Sequence, residues 1–317
     1  MQDITVPVVF CFFNRQDRIM SVFERIKKAR PKYVYLLSDG PRADVAGERE
    51  RIEGIRKEIE RLIDWTDNVE IDYASENMGC GPRLATGIQS ALSKYGKAMI
   101  LEDDCLPANS FFPYQQYLLN RYEKDEKIAC VSGTYFLKKK NTPLAYGFTH
   151  FPQIWGWGTW ARAWEGYSYT MEDWSDDFLF QIEKEKSIPC FAREAWRRCF
   201  EGIRKEIKRN PRFTWDIQFW FNCLRKRTLS IFPYRNQVTN IGYVKDATHT
   251  TCWWFSDKPQ YETDWNMEVF GGIDLEYERW LQDRFYGGHF TWAGFYYSVL
   301  LWLRIRERRI RAKYFSR

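Results

Sequence analysis

Zinc spacing is absent from this 317-residue chain: its eight cysteines include no C-x-x-C pair, which excludes a cysteine-ligated structural metal. Several of these cysteines lie in apolar runs, where the thiol behaves as a small hydrophobe. The first residues carry Asp3 and no basic stretch, so they do not read as a secretory signal, and reduced thiols in a cytoplasmic protein are expected. A membrane-spanning run is missing as well. The uncharged segment "FTWAGFYYSVLLWL" (290–303) has fourteen residues, roughly 21 Å of helix against a hydrocarbon core of about 30 Å. The glycines at 79 and 81 do not form G-x-G-x-x-G, so nothing supports a nicotinamide site. Basic excess is also absent from most of the chain. The net charge of +6 sits in the last fourteen residues, "RIRERRIRAKYFSR", leaving the preceding 303 neutral. A nucleic-acid binder spreads basic side chains over its folded body, so no nucleic-acid partner is expected.

Aromatic residues, by contrast, are abundant: 18% of the chain, with 15 Trp. Most of them are expected in the core, although flat rings with a polar edge also suit sugar contacts. "VPVVFCFF" (6–13) is a continuous apolar run of the kind found in strands buried on both faces. Ile19, Val22, Phe23 and Ile26 follow at helical spacing, up to Pro31. "YVYLL" (33–37) and "VEIDY" (69–73) read as strands, and Ile52, Ile55, Ile59 and Leu62 as the helix between them. "NMGCGPR" then leads into a helix bearing Leu84, Ile88 and Leu92, and "AMIL" is a fourth strand. This alternation predicts an α/β fold with a mostly parallel sheet and right-handed crossovers. With no repeat and no low-complexity linker, residues 1–275 read as one domain, followed by a helical extension over 276–317. The domain has a first half to about 136 and a second half over about 137–275.

The stretch "AMILEDDCLP" drives a buried strand into three consecutive acids, Glu102, Asp103 and Asp104. Packed carboxylates repel one another, and burial sharpens the conflict unless something positive joins them. A solvated acidic turn is one reading; a divalent cation carrying phosphate is the other. In parallel sheets, ligands gather at the carboxyl ends of the strands. Asn14 and Arg15 follow the first strand, Asp39 the second, and the acids the fourth, so all three clusters fall on that edge.

Taken together, "PVVFCFFNR", "SDGPR", "ENMGCGPRLATG", "ILEDDCLPANSFF", "WGWGTWARAW", "WDIQFW" and "NIGYVKDATHT" resemble the GT-A-fold glycosyltransferases. They are most similar to bacterial polysaccharide-type enzymes with Glu-Asp-Asp in place of Asp-x-Asp, and to the N-acetylglucosaminyltransferase I family. The resemblance covers about residues 5–251. It implies a Rossmann-like GT-A fold and inverting transfer from a nucleotide-diphosphate sugar, expected to be UDP-linked. It also implies that Asp104 binds Mn2+ or Mg2+ and that Glu102 and Asp103 face sugar and ribose. Arg15, beside Asn14, would reach the nucleotide or its phosphates, Asp39 the base, and Arg83 the donor side. Asp216 matches the family's general base, and His249 the late histidine that contacts metal or diphosphate. Trp157, with Trp155 and Trp160, is a candidate for stacking on sugar. Each residue also has a plainer reading: a dipole-stabilising acid at a helix start for Asp216, a turn histidine for His249, a surface ion pair for Arg15 and Asp39, and core packing for the tryptophans.

The extension lies outside the resemblance. A Trp- and Tyr-rich apolar segment beside clustered arginines fits a helix lying in the interface of an anionic membrane. That suggests a lipid-linked saccharide acceptor at the inner face of the plasma membrane. Two other function classes stand beside this one: a sugar-nucleotide pyrophosphorylase, and a sugar-binding or membrane-scaffold protein with no need for the acids.

Overall fold

The computed structural model describes residues 3–137, 142–186, 190–242, 261–263 and 266–284. The β-branched and aromatic run at the start forms β1 (Val8–Phe12), buried at every position. Helix α1 (Gln16–Ala29) turns Ile19, Val22, Phe23 and Ile26 inward and ends at Arg30, which is left-handed at φ 48°. β2 (Val34–Ser38), α2 (Glu48–Leu62), β3 (Val69–Tyr73), α3 (Cys80–Tyr95) and β4 (Lys97–Glu102) complete the predicted alternation.

Strands β3, β2, β1 and β4 lie side by side in that order and are all parallel. The chain thus winds outward from β1 to β3 and then crosses back over to β4 on the far side of β1. Such a reversal opens a crevice between the carboxyl ends of the two central strands. Hydrophobic clusters cover both faces of the sheet, with α1 and α2 contributing to one and α3 to the other.

The second half extends the same sheet. Here β5 (Cys105–Pro107), α4 (Phe111–Arg121), β6 (Ile128–Ser132), β7 (Tyr146–Thr149), β8 (Trp157–Trp160) and α5 (Ala161–Trp164) follow in order. After α6 (Asp176–Lys186) and α7 (Cys190–Arg209) come α8 (Asp216–Arg225), β9 (Leu229–Pro233), β10 (Val238–Asn240) and α9 (Leu275–Arg284). The full order is β3-β2-β1-β4-β8-β6-β9-β7, and β10 pairs with β5 in a separate ribbon. Strand β8 runs antiparallel between β4 and β6, while β6 and β9 are parallel. Four of the seven pairings described in the large sheet are therefore parallel.

Two local features have no counterpart among the elements expected from the sequence. The aromatic segment at 151–164 supplies a central strand, because β4 and β6 offer open ladders on both sides of its four residues. Strand β6 stops at Ser132, and the next residue, Gly133, donates its N–H to the Gly156 carbonyl at 2.7 Å. A Cβ at Gly133 would lie 2.6 Å from that oxygen, so only glycine permits the approach.

The chain divides into two compact units. The first comprises residues 1–171 and 206–274 and contains the whole sheet. The second joins residues 172–205 to α9, with Trp174 and Phe200 in ring contact at 5.1 Å. No helix among the described residues is long and apolar enough to cross a membrane.

Candidate active site

The register of β1 against β4 pairs Cys11 with Glu102, so the acids leave the sheet beside the segment Phe13–Arg15. Along β4, Met99 and Leu101 pack on the α1 face and Ala98 and Ile100 on the α3 face. Pleat alternation therefore sends Glu102 toward α3 and Asp103 toward α1. Asp103 is 4% exposed. Its Oδ1 accepts from the Arg15 guanidinium at 2.9 Å, and its Oδ2 from the Phe13 amide at 3.3 Å. Burial pushes the Asp103 carboxyl up to about 6; Arg15 is the main opposing influence, Asp104 adds to the rise, and the Phe13 amide and Arg18 pull it back. Burial, followed by the charges of Asp104, Asp103 and Asp216, raises Glu102 well above the usual carboxylate range.

Backbone contact between the start of α3 and residues 212–214 carries the segment of Asp216 to this same edge of the sheet, and the Asp216 charge adds to the rise at Glu102. Asp216 is the first residue of α8. The segment before it is held against the start of α3, where Gly81 donates its N–H to the Arg212 carbonyl at 3.4 Å. Tyr167 donates its hydroxyl to the Trp215 carbonyl at 2.9 Å, and Tyr169 donates to the Pro211 carbonyl at 3.1 Å. Thr214 donates its hydroxyl to Asp216 Oδ1 at 2.5 Å, which orients the carboxylate and leaves Oδ2 for another donor. Cys80, exposed in the first turn of α3, feels the charge of all four acids. Crowding by the surrounding chain, then Glu102, Asp216, Asp104 and Asp103, holds its thiol well above the ordinary range.

Asp104 occupies the turn between β4 and β5. Pairing of β5 with β10 brings the late segment alongside it, and Ile241 donates its N–H to the Asp104 carbonyl at 2.7 Å. A Cβ at Gly242 would come within 2.3 Å of Asp104 Oδ2, so the chain passes close to this carboxylate. His249 lies outside the described residues. Among those described, no group of three or more His, Cys, Asp or Glu is arranged to hold a metal. Among the described residues, the Asp104 carboxylate accepts a long bond, 3.5 Å, from the Cys105 thiol. A single hard carboxylate of this kind suits a Mg2+- or Mn2+-type ion whose remaining ligands are phosphate oxygens and water.

The other residues singled out from sequence are more deeply committed to the fold. Asp39 accepts four hydrogen bonds: from the amides of Gly40 and Met78 at 2.8 Å, from Gly79 at 2.9 Å, and from Asn77 Nδ2 at 3.0 Å. These fill a carboxylate's acceptor positions, so Asp39 shapes the turn that leads into α3. Asn14 donates to Glu48 Oε1 at 2.7 Å. Glu48 also pairs with Arg42, so the loops after β1 and β2 share one buried acid. Arg83 is 5% exposed, bonded to the Ser38 carbonyl at 3.2 Å and to Asp72 through both carbonyl and carboxylate.

The expectation for Trp157 is corrected. It is fully buried, in ring contact with Trp215 at 5.5 Å and Phe219 at 5.0 Å, and presents no face to a ligand. Trp160 is likewise buried and donates its indole N–H to the Leu119 carbonyl at 3.0 Å. Sequence reasoning missed Arg18, Glu48, Cys80, Thr214 and Gly242. Cys80 lies inside the glycine turn already noted, and Thr214 two positions before Asp216. The remaining three give no local signal, because their partners come from distant segments.

No protein-family model matches the chain, and no curated protein matches it in sequence. Solved structures give loose likenesses. A mannosyltransferase from Pyrobaculum calidifontis, in complex with GDP-mannose and Mn2+, overlaps 71% of this chain and 70% of its own at 14% identity, TM-score 0.37. GalNAc-T7 with UDP, GalNAc and Mn2+ overlaps 41% of this chain and 23% of its own, at 15% identity and TM-score 0.29. A UDP-glucose pyrophosphorylase complexed with UDP-glucose overlaps 75% and 93%, at 8% identity and TM-score 0.35. Overlaps this loose carry no weight beside the strand order and register described above.

Proposed function

We propose that the chain is an inverting, metal-dependent glycosyltransferase of GT-A type, similar in its motifs to the N-acetylglucosaminyltransferase I family. It would take a nucleotide-diphosphate sugar, UDP-linked by preference. The observation that carries this reading is the Glu102–Asp104 cluster at the carboxyl end of β4, together with the backbone contact that holds the segment leading into Asp216 against the start of α3 on the same edge. A binding scaffold has no need to drive a buried strand into three consecutive carboxylates.

In this reading Asp104 holds Mn2+ or Mg2+, with His249 as a further candidate ligand. When bound, the ion neutralises the donor diphosphate as it departs. Arg15 keeps Asp103 in place and offers its remaining N–H groups to nucleotide or phosphate. Asn14, through Glu48, and Asp39, through the 76–79 turn, shape the donor side, and Arg83 braces the strand ends beneath it. Glu102 faces the sugar. Asp216 is the general base: its Oδ2 accepts the proton of the acceptor hydroxyl while Thr214 holds Oδ1. The freed oxygen bonds to the anomeric carbon, and the bond from that carbon to the diphosphate breaks on the opposite face, inverting the configuration. Residues 1–275 would form the catalytic body. Residues 276–317, with the apolar run at 290–303 and the basic end, would lie on an anionic membrane surface at the cytoplasmic face and meet a lipid-linked glycan acceptor in surface polysaccharide synthesis.

The test is nucleotide release from a panel of sugar nucleotides, with and without Mn2+, for the wild-type protein and Asp104→Asn. Release with at least one UDP-sugar, dependent on Mn2+ and lost in the variant, is expected. No release from any donor, or release indifferent to both metal and variant, refutes the proposal. Formation of a sugar nucleotide from UTP and a sugar phosphate would favour a pyrophosphorylase instead.

A further inference from the structure

Both glycines of the Gly-Cys-Gly turn at 79–81 meet the same piece of chain. A Cβ built on Gly79 would lie 2.4 Å from Arg212 Cβ. One built on Gly81 would lie 2.2 Å from the Tyr169 hydroxyl oxygen and 2.9 Å from the Thr214 carbonyl oxygen. Gly79 also has φ 85°, where other residues are strained. Gly81 sits in the first turn of α3 and is buried. Its missing side chain is therefore a matter of space.

That space bears on Asp216. The Thr214 carbonyl accepts from Gln218 Nε2 at 2.6 Å, and the same nitrogen reaches the Tyr169 carbonyl at 3.3 Å. Gln218 is fully buried within α8. Trp215, between Thr214 and Asp216, is buried at 2% exposure against Trp157. The segment is thus pinned from behind by the tryptophan core and from the side by Gln218, while α3 presses on its front. A methyl group added at position 81 must displace the Tyr169 hydroxyl and press on the Thr214 carbonyl oxygen, 2.9 Å away. Asp216 follows two residues later.

We infer that Gly81 is a positioning residue that sets the separation between the Asp216 carboxylate and the acidic cluster on β4. The inference rests on the reading of Asp216 as the base. Gly81 touches no substrate. It acts by letting α3 and the 211–214 segment approach to backbone contact.

The test is Gly81→Ala in wild-type and Tyr169→Phe backgrounds, with Asp216→Asn alongside. Transfer is followed at saturating donor and acceptor, and Mn2+–UDP affinity by calorimetry. A misplacement near 1 Å at a reacting group can cost about 10²-fold in rate, so Gly81→Ala should lower turnover roughly 10- to 100-fold while UDP affinity stays within about twofold. Removing the Tyr169 hydroxyl removes the closest clash, so the loss caused by Gly81→Ala should be at least about threefold smaller in the Tyr169→Phe background. Wild-type turnover in Gly81→Ala, a parallel fall in UDP affinity, or equal losses in both backgrounds overturns the inference. If Gly81→Ala alone does not fold, the double variant against Tyr169→Phe supplies the same comparison of turnover and affinity. Full activity in Asp216→Asn removes the base itself, whereas an inactive Asp216→Asn beside an undisturbed Gly81→Ala removes only the positioning role.

Discussion

Replacing Asp103 by Asn should flatten the dependence of stability on pH. In the folded protein, burial raises this carboxyl from an ordinary 3.8 to about 6, with Arg15 opposing. Between those values the native state binds its proton more tightly than the unfolded chain does, so the unfolding free energy falls as pH rises. The contribution is fully present below the unfolded value and is lost as pH climbs through the folded one. About two units at 1.36 kcal/mol each give a loss on the order of 3 kcal/mol between about pH 4 and pH 6 to 7. Glu102, raised first by burial and then by Asp104, Asp103 and Asp216, adds a loss of the same sign. Urea unfolding at half-unit steps from pH 4 to 7.5, with chelator present, measures the slope. The wild-type curve should decline more than that of Asp103→Asn by roughly 3 kcal/mol, and Mn2+ with UDP at pH 7.5 should recover part of the wild-type loss. Parallel curves, or a wild type that gains stability relative to the variant as pH rises, would refute the account of Asp103.

Asp216→Asn should retain Mn2+–UDP binding by calorimetry and lose transfer by at least about 10²-fold, the scale of general base catalysis; near-normal turnover would move the base elsewhere. Trp157→Ala should cost about 3–5 kcal/mol in urea unfolding, as for other large buried aromatics, and leave the donor KM of the folded fraction unchanged; a KM change without a stability loss would restore Trp157 as a contact. Full-length protein should sediment with anionic vesicles in a salt-sensitive manner, since each basic side chain near such a surface contributes about 1 kcal/mol. A chain ending near Gly288 should not, and equal pelleting of the two would remove the membrane anchor.

The regular elements of the first half were legible in sequence because their signals are local. The apolar run of β1 and the spacing of Ile19, Val22, Phe23 and Ile26 each state a period that one face of a sheet or helix must satisfy. Alternation of those elements, with the rule that ligands gather at strand carboxyl ends, was enough to place Asn14, Arg15, Asp39 and Glu102–Asp104 on one edge. What each side chain does there was decided only by tertiary structure. Asp39 and Arg15 look alike as polar residues after strands, yet Asp39 is filled by four donors from its own loops while Arg15 keeps part of its guanidinium free. Trp157 could be read as a sugar contact or as core because a four-residue strand has no periodicity of its own; pairing with β4 and β6 makes it a strand and seals the ring inside. The placing of the Asp216 segment on the same edge as Glu102, and the glycines that permit it, depend on contacts between segments more than a hundred residues apart. No local pattern encodes such a contact, because its energy exists only once both partners are folded.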